Sequence, residues 1–198
     1  MRKGGPKVLR PKVPGAGNRR QELAGGEKLD RIIPFAKNVL TLGSSDRGWE
    51  EFLQLLRAYR VEMVIDVRSF PTSKFAHFRQ ASLNPSLAEA GFGYYYLGKE
   101  LGGYRKEGYE AYTQTLPYLV GIELLERMAL RCRSAVLCAE RLPWRCHRRF
   151  IGRSLRERGW KVIHVIDENR VWEDREKVSA AVEAGEEAPG ERTGKSPP

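Results

Sequence analysis

The sequence predicts an α/β fold: a single three-layer domain built on a mostly parallel five-stranded sheet, flanked by flexible N- and C-terminal tails. Three observations carry this. Between about residues 36 and 170, short apolar runs alternate with amphipathic stretches, the signature of βαβ units. Several of the runs are too uniformly apolar to face water on either side, as expected of strands covered by helices on both faces. The two ends have a different composition and lack apolar periodicity.

The elements follow in order. Residues 1–35 form a leader rich in Gly, Pro, Arg and Lys that cannot bury enough surface to offset its ordering entropy, so it is expected to be disordered. The strands are NVLTLG (Asn38 to Gly43), EMVIDV (Glu62 to Val67), GYYYL (Gly93 to Leu97), SAVLCA (Ser134 to Ala139) and KVIHVI (Lys161 to Ile166). After the first strand, Phe52, Leu55, Leu56 and Tyr59 recur at helical spacing, with Glu51 three residues past Gly48 as a weakened capping box. Asn84 and Pro85 read as an N-cap and first helical position, and Gly91 as that helix's stop. Pro117 opens a helix running through Leu124, Leu125 and Met128, and Gly159 closes one that starts near Cys146. Residues 171–198 form a charged tail, mostly disordered, in which WEDREKVSAAVEA has the pattern of a short exposed helix.

Composition narrows the function. The formal charge of +10 over 198 residues points to acidic partners such as nucleotides, nucleic acid or other phosphates. The stretch from Met1 to Arg31 carries +6 and that from Val171 to Pro198 carries −3, so the domain itself is basic as well. No run approaches the roughly 20 apolar residues needed to cross a bilayer, and no secretory signal is apparent, so no membrane partner and a cytoplasmic location are expected. Three cysteines at irregular spacing form no disulfide framework and fit a reducing compartment as thiols.

In open α/β sheets, ligands bind where loops leave the carboxyl ends of the strands. Those ends carry Gly43-Ser44-Ser45-Asp46-Arg47, Asp66-Val67-Arg68, the Lys99 to Arg105 segment with Gly102 and Gly103, and the stretch CAERLPWRCHRR beginning at Cys138. Polar and charged residues therefore gather at one rim. The last stretch places Arg145-Cys146-His147-Arg148 in the first turn of a helix, where the dipole favours an anion and arginines add charge-assisted hydrogen bonds. Arg68, Arg145 and Arg148 are the expected anion clamp, with Ser44, Ser45, Gly102 and Gly103 lining the ligand. Glu140 or Asp66 is the general acid or base. Cys138, Cys146 and His147 complete the catalytic candidates, the helix terminus favouring a thiolate. Against this stands a purely structural network in which the carboxylates pair with neighbouring arginines. Arg149, Arg153, Arg156 and Arg158 read as a solvated helix face, and His164, inside a strand, as core. The cysteines are separated by seven residues, unlike the short C-x-x-C spacing of zinc sites, and His147 has no third ligand near it in sequence. No metal and no cofactor are expected.

TLGSSDRGWEEFLQLLRAYRVEMVIDVRSFPTSKFAHF, GYYYLGKELGG and VLCAERLPWRCHRRFIGRSL together resemble the domain of unknown function family 488, with its T-I-G-[HY]-S opening, V-D-V-R-x-x-P, Leu-Gly-Gly segment and C-A-E-x-x-P-x-x-C-H-R. The resemblance runs from about Leu40 to Ile166 and implies an α/β fold without assigning a reaction. By position, the motif residues are Asp66, Arg68, Pro71, Gly102, Gly103, Cys138, Glu140, Arg145, Cys146, His147 and Arg148. Ser44 departs from the family's His or Tyr. A similarity of layout to rhodanese-type sulfurtransferases and cysteine phosphatases is weaker, since the sixth residue after Cys138 is Trp144 rather than Arg, and Glu140 would repel an anion in the loop. The sequence therefore supports two functions. One is an enzyme or binding domain for a phosphate-bearing small molecule or nucleic acid. The other is a non-catalytic nucleic-acid-binding module driven by the basic leader and the arginine helix.

Overall fold

The five apolar runs become five strands. In the computed structural model, which describes residues 37–173, these are β1 (Asn38–Gly43), β2 (Met63–Asp66), β3 (Gly93–Tyr96), β4 (Ser134–Cys138) and β5 (Lys161–Asp167). They pair in parallel in the order β3-β2-β4-β1-β5. A sixth strand, β6 (Arg170–Trp172), turns back antiparallel along β5, so the sheet has six strands rather than five. Three residues of mostly exposed pattern gave no strand signal in the sequence. What holds β6 is tertiary: the Trp172 ring lies 5.2 Å from His164 and 5.3 Å from Trp144. The basic leader, and nearly all of the helix expected over WEDREKVSAAVEA, lie outside the described residues.

Among the described residues six α-helices connect the strands: α1 (Trp49–Ala58), α2 (Gln80–Glu89), α3 (Gly98–Leu101), α4 (Tyr109–Tyr112), α5 (Leu116–Ala129) and α6 (Arg148–Glu157). α1 buries Phe52, Leu53, Leu55 and Leu56, and Glu50 and Glu51 in its first turn complement the helix dipole. α2 begins at Gln80, not at the expected Asn84–Pro85 start, so Pro85 sits inside the helix. The proline lacks an N–H for the preceding turn, a cost of order 3 kcal/mol in a helix interior. Burial of Leu83 and Leu87, one turn apart, offsets it. Gly91, at φ +87°, ends that helix as expected. α5 carries Pro117 in its first turn, also as expected.

The opening of α6 differs from expectation. Pro143–Arg145 form a separate 3₁₀ turn, Cys146 is extended (φ −137°, ψ 174°), and the helix starts only at Arg148. Arg145 and Cys146 therefore lie outside the helix, and the cysteine side chain turns back toward the end of β4.

Helices cover both faces of the sheet. Leu40, Leu42, Val64, Leu137 and Ile163 pack on one side with α1 and α2, through Phe52, Leu56, Leu83 and Leu87. Val39, Ile65, Val136 and Val162 pack on the other with α3 to α6, through Leu101, Tyr118, Ile122, Leu125, Ile151 and Leu155. This alternation of sides along each strand is the three-layer arrangement. Adjacent strands β1 and β4 send their following helices, α1 and α6, to opposite faces. Their carboxyl ends therefore form a topological switch point, the usual ligand crevice of such sheets. Gly43 and Cys138 are partners there, and Asp66 ends β2 next door, opposite Leu137. Among the described residues, no helix is long and apolar enough to cross a membrane.

Candidate functional site

Three donor atoms converge at the end of β4. The Sγ atoms of Cys138 and Cys146 and a ring nitrogen of His147 all lie within 4.8 Å of one another, with Cys138 Sγ 3.9 Å from His147 Nδ1. Cys138 arrives on the strand, Cys146 on the extended residue before α6, and His147 as the N-cap of that helix. The loop between them is pinned by Arg148, whose guanidinium is fully buried. It donates through Nε to Cys146 Sγ (3.2 Å), through Nη1 to Thr41 Oγ1 (3.2 Å), and through Nη2 to the carbonyls of Glu140 and Arg141.

The imidazole is held in one tautomer. His147 Nε2 lies 3.0 Å from the Val67 carbonyl, an acceptor only, so Nε2 carries the proton and donates it. Nδ1 is left with its lone pair toward Cys138. Burial keeps this ring below the ordinary histidine pKa, hence neutral at pH 7. Gly103 makes room for it: a Cβ there would stand 2.5 Å from Nδ1.

The two thiols share a proton unequally. The hydrogen bond from Cys146, helped by Arg148 and the main chain of Glu140 and Ala139, draws the Cys138 thiol down to about 6 against the opposing effect of burial. Cys146, as the donor of that bond and itself buried, is pushed up. Among the described residues no carboxylate pairs with Arg148, and the sulfur it meets is Cys146 Sγ.

Beside the cluster is an open hollow of about 470 Å³, lined by Gly103, Cys146, His147, Tyr109, Trp144, Arg145, Arg149 and Phe150. Its charged lining is two arginines and no acid. Arg145 is exposed, and Arg149 lies over the Phe150 ring at 4.5 Å.

The remaining sequence candidates lie elsewhere. Asp66 is fully buried and grips Arg68, and it also accepts from Tyr94 Oη at 2.8 Å. Arg68 spends its third nitrogen on the Phe78 carbonyl at 2.7 Å. Glu140 is exposed, with Oε1 3.3 Å from the Leu142 N–H, and does not line the hollow. Ser44 is buried and its N–H donates to the Cys138 carbonyl, whereas Ser45, at φ +48°, turns its hydroxyl to Asp46. A side chain on Gly102 would run into the Gly98 carbonyl and Ser69. Of the three arginines expected to clamp an anion, only Arg145 reaches the hollow, because Arg68 and Arg148 spend their donors inside the fold. Arg149, read from the sequence as solvated face, also lines the hollow. Tyr109, Trp144 and Phe150 were missed altogether. Phe150 and Arg149 directly follow the Cys-His-Arg segment, which was the available signal. His164 is core, as expected, with Nδ1 2.7 Å from Thr41 Oγ1.

These donors suit three chemistries: a nucleophilic thiolate, a dithiol pair, and ligation of a soft metal. No curated protein and no solved structure matches the chain. One family does, over residues 48–155, more than half of the sequence and including Asp66, Arg68 and the whole Cys138 to Arg148 segment. With the cysteines, histidine and arginines of that segment converging at the switch point, the chain belongs to the family described as domain of unknown function DUF488.

Proposed function

We propose that this domain is an enzyme that takes a phosphate-bearing small molecule, of nucleotide type, into the hollow beside Cys146 and His147 and acts on it there. One observation carries the reading: the hollow adjoining the thiol and imidazole cluster has two arginines and no carboxylate in its lining. Guanidinium groups bind phosphate oxygens bidentately, and Arg145 and Arg149 are both exposed at the hollow. Trp144, 43% exposed at the edge of the hollow, offers flat apolar surface on which a base can stack, worth about 1–3 kcal/mol in comparable settings. A cytoplasmic setting goes with this reading, since thiols are maintained in reducing compartments.

The test is calorimetric titration of the full chain with inorganic phosphate and with purine and pyrimidine nucleotides. Arg145→Ala and Arg149→Ala should each weaken binding about tenfold or more, given charge-assisted hydrogen bonds of about 1.5–3 kcal/mol, with little change in melting temperature. Nucleotides should bind more tightly than phosphate alone. Binding untouched by either substitution would overturn the reading.

The alternative, a non-catalytic nucleic-acid-binding module driven by the basic leader and the arginine-rich helix α6, draws on the net charge of +10. Much of that helix is already engaged: Arg153 pairs with Glu110 at 2.5 Å and Arg158 with Glu126 at 3.0 Å.

A further inference from the structure

We propose that Cys138, Cys146 and His147 form a binding site for one divalent transition-metal ion of the zinc class, with three protein ligands and a fourth position open to the hollow. The sequence spacing argued against metal because it offered two widely separated thiols and no third ligand. The fold removes that objection, since the loop after β4 returns on itself and adds His147 to both sulfurs.

Four features support the site. The first is distance. Zinc takes sulfur at about 2.3 Å and imidazole nitrogen at about 2.0–2.1 Å, which sets tetrahedral ligand–ligand edges near 3.5–3.8 Å. Cys138 Sγ and His147 Nδ1 already stand 3.9 Å apart, and all three donors lie within 4.8 Å, so small side-chain rotations close the site. The second is the outer shell. A metal-ligating histidine characteristically donates its other N–H to a carbonyl or carboxylate, as His147 Nε2 does to Val67. Nδ1 is thereby aimed at the sulfurs. The third is donor chemistry. Two sulfurs and an imidazole, with no carboxylate in the set, select zinc-like ions over magnesium or calcium.

The fourth is charge. Two thiolates beside the buried guanidinium of Arg148 leave a local negative charge, which a divalent ion reverses to positive. Arg148 Nε, 3.2 Å from Cys146 Sγ, is a donor that a metal-bound thiolate accepts without losing its ligand role. The resulting positive site favours an anion at the open position, on the same side as Arg145 and Arg149. Three protein ligands with one open position is the pattern of catalytic rather than structural zinc. Ligation requires both sulfurs as thiolates, so the thiol protons leave to solvent on binding. This site does not depend on the phosphate reading, because metal uptake is measured without any such ligand.

The experiment uses the full chain, stripped with a chelator and titrated with zinc against a chromophoric competitor, and separately with cobalt. One equivalent should bind. Cobalt should give tetrahedral visible bands and a thiolate-to-metal charge-transfer band. Cys138→Ser and Cys146→Ser should each weaken binding by more than about 100-fold, beyond the 10–100-fold typical of outer-shell partners, and Cys132→Ser should leave it unchanged. Two further measurements guard against misfolded variants. In the unaltered chain, saturating zinc should protect Cys138 and Cys146, but not Cys132, from iodoacetamide, mapped by mass spectrometry. Gly103→Ala, which keeps every ligand but crowds Nδ1, should weaken zinc about tenfold or more. Zinc that binds equally well to both serine variants, or a folded chain that gives no charge-transfer band and no protection, would overturn the proposal. Facile Cys138–Cys146 disulfide formation without metal uptake would also overturn it, and would assign the cluster to dithiol chemistry.

Discussion

Arg68 closes on Asp66 from two residues further along the chain, with Nε 2.8 Å from Oδ1 and Nη2 2.6 Å from Oδ2, and its own N–H also reaches Oδ1 at 3.1 Å. Both side chains are inside the protein. The geometry is that of a bidentate pair locking the turn after β2, from which the Val67 carbonyl holds His147. Removing one partner leaves the other as an uncompensated buried charge. Asp66→Ala and Arg68→Ala should each cost about 3–5 kcal/mol, read as a lower urea midpoint at unchanged m-value. Asp66→Ala combined with Arg68→Ala should cost less than the sum of the two, a coupling visible in a double-mutant cycle. Full stability in Asp66→Ala, with activity lost, would make the carboxylate a catalytic group instead.

Gly43 ends β1 against the main chain of the neighbouring loop, and a Cβ there would overlap the Glu140 carbonyl, the same oxygen that accepts from Arg148. Backbone cannot swing aside as a flexible side chain can. Gly43→Ala should therefore destabilise the fold by about 1–3 kcal/mol or more and loosen the Cys138 to His147 loop. Faster alkylation of Cys138 relative to Cys132 would report that loosening. Gly48, the N-cap of α1, is the comparison: a Cβ there meets nothing within 4 Å, and its alanine variant should lose no more than about 1 kcal/mol, with the Cys138 alkylation rate unchanged.

The contrast between these two glycines also marks what could be read from the sequence. Apolar runs located five strands because burial on both faces demands them, and the carboxyl-end rule then brought Gly43, Asp66 and Cys138 to one rim before any coordinates. Side-chain direction was not legible. Arg68, Arg145, Arg148 and Arg149 have the same chemistry in sequence, yet two face inward onto carbonyls and Asp66 while two face the hollow. Arg68 is turned in by Asp66 and the Phe78 carbonyl, and the other three are divided by the path of residues 139–147, with its 3₁₀ turn and extended Cys146, which no periodicity encodes. The same path brings Cys146 back to Cys138, so a spacing that argued against metal gave no warning of the cluster. Pro85 misled for a related reason: a strong local signal for a helix start yielded to burial of Leu83 and Leu87.

Salt dependence separates the two functional readings. Backbone tracking on duplex DNA should give a log–log slope of about −0.9 per phosphate neutralised. With Arg153 and Arg158 already paired to acids, the domain offers few free cations along α6, and most duplex affinity should come from the leader. Deleting the first 30 residues should therefore flatten the slope severalfold while nucleotide binding by the domain persists. A steep slope that survives the deletion would place a nucleic-acid contact on the domain itself and favour the binding-module reading, whereas a flat salt response of the full chain would remove that reading.

Acid stability tests the hydrogen-bonded chain that backs the site. His164 lies wholly inside, its Nδ1 2.7 Å from Thr41 Oγ1, which also accepts from Arg148, and its ring packs on Trp172. Burial, followed by the nearby charges of Arg148 and Arg156, depresses this imidazole to about 3. An unfolded chain would hold the same histidine near its ordinary pKa of about 6.5. Between these values the unfolded state binds the proton and the native state does not, so stability rises with pH across that window and falls on acidification. One such proton corresponds to a slope of about 1.4 kcal/mol per pH unit. Urea midpoints measured at intervals between neutrality and pH 4 should fall along this slope in the parent. His164→Gln keeps an amide within reach of Thr41 but removes the titration, and should show a flatter profile at the cost of some stability at pH 7. A variant that loses stability in acid as steeply as the parent would remove His164 as the cause.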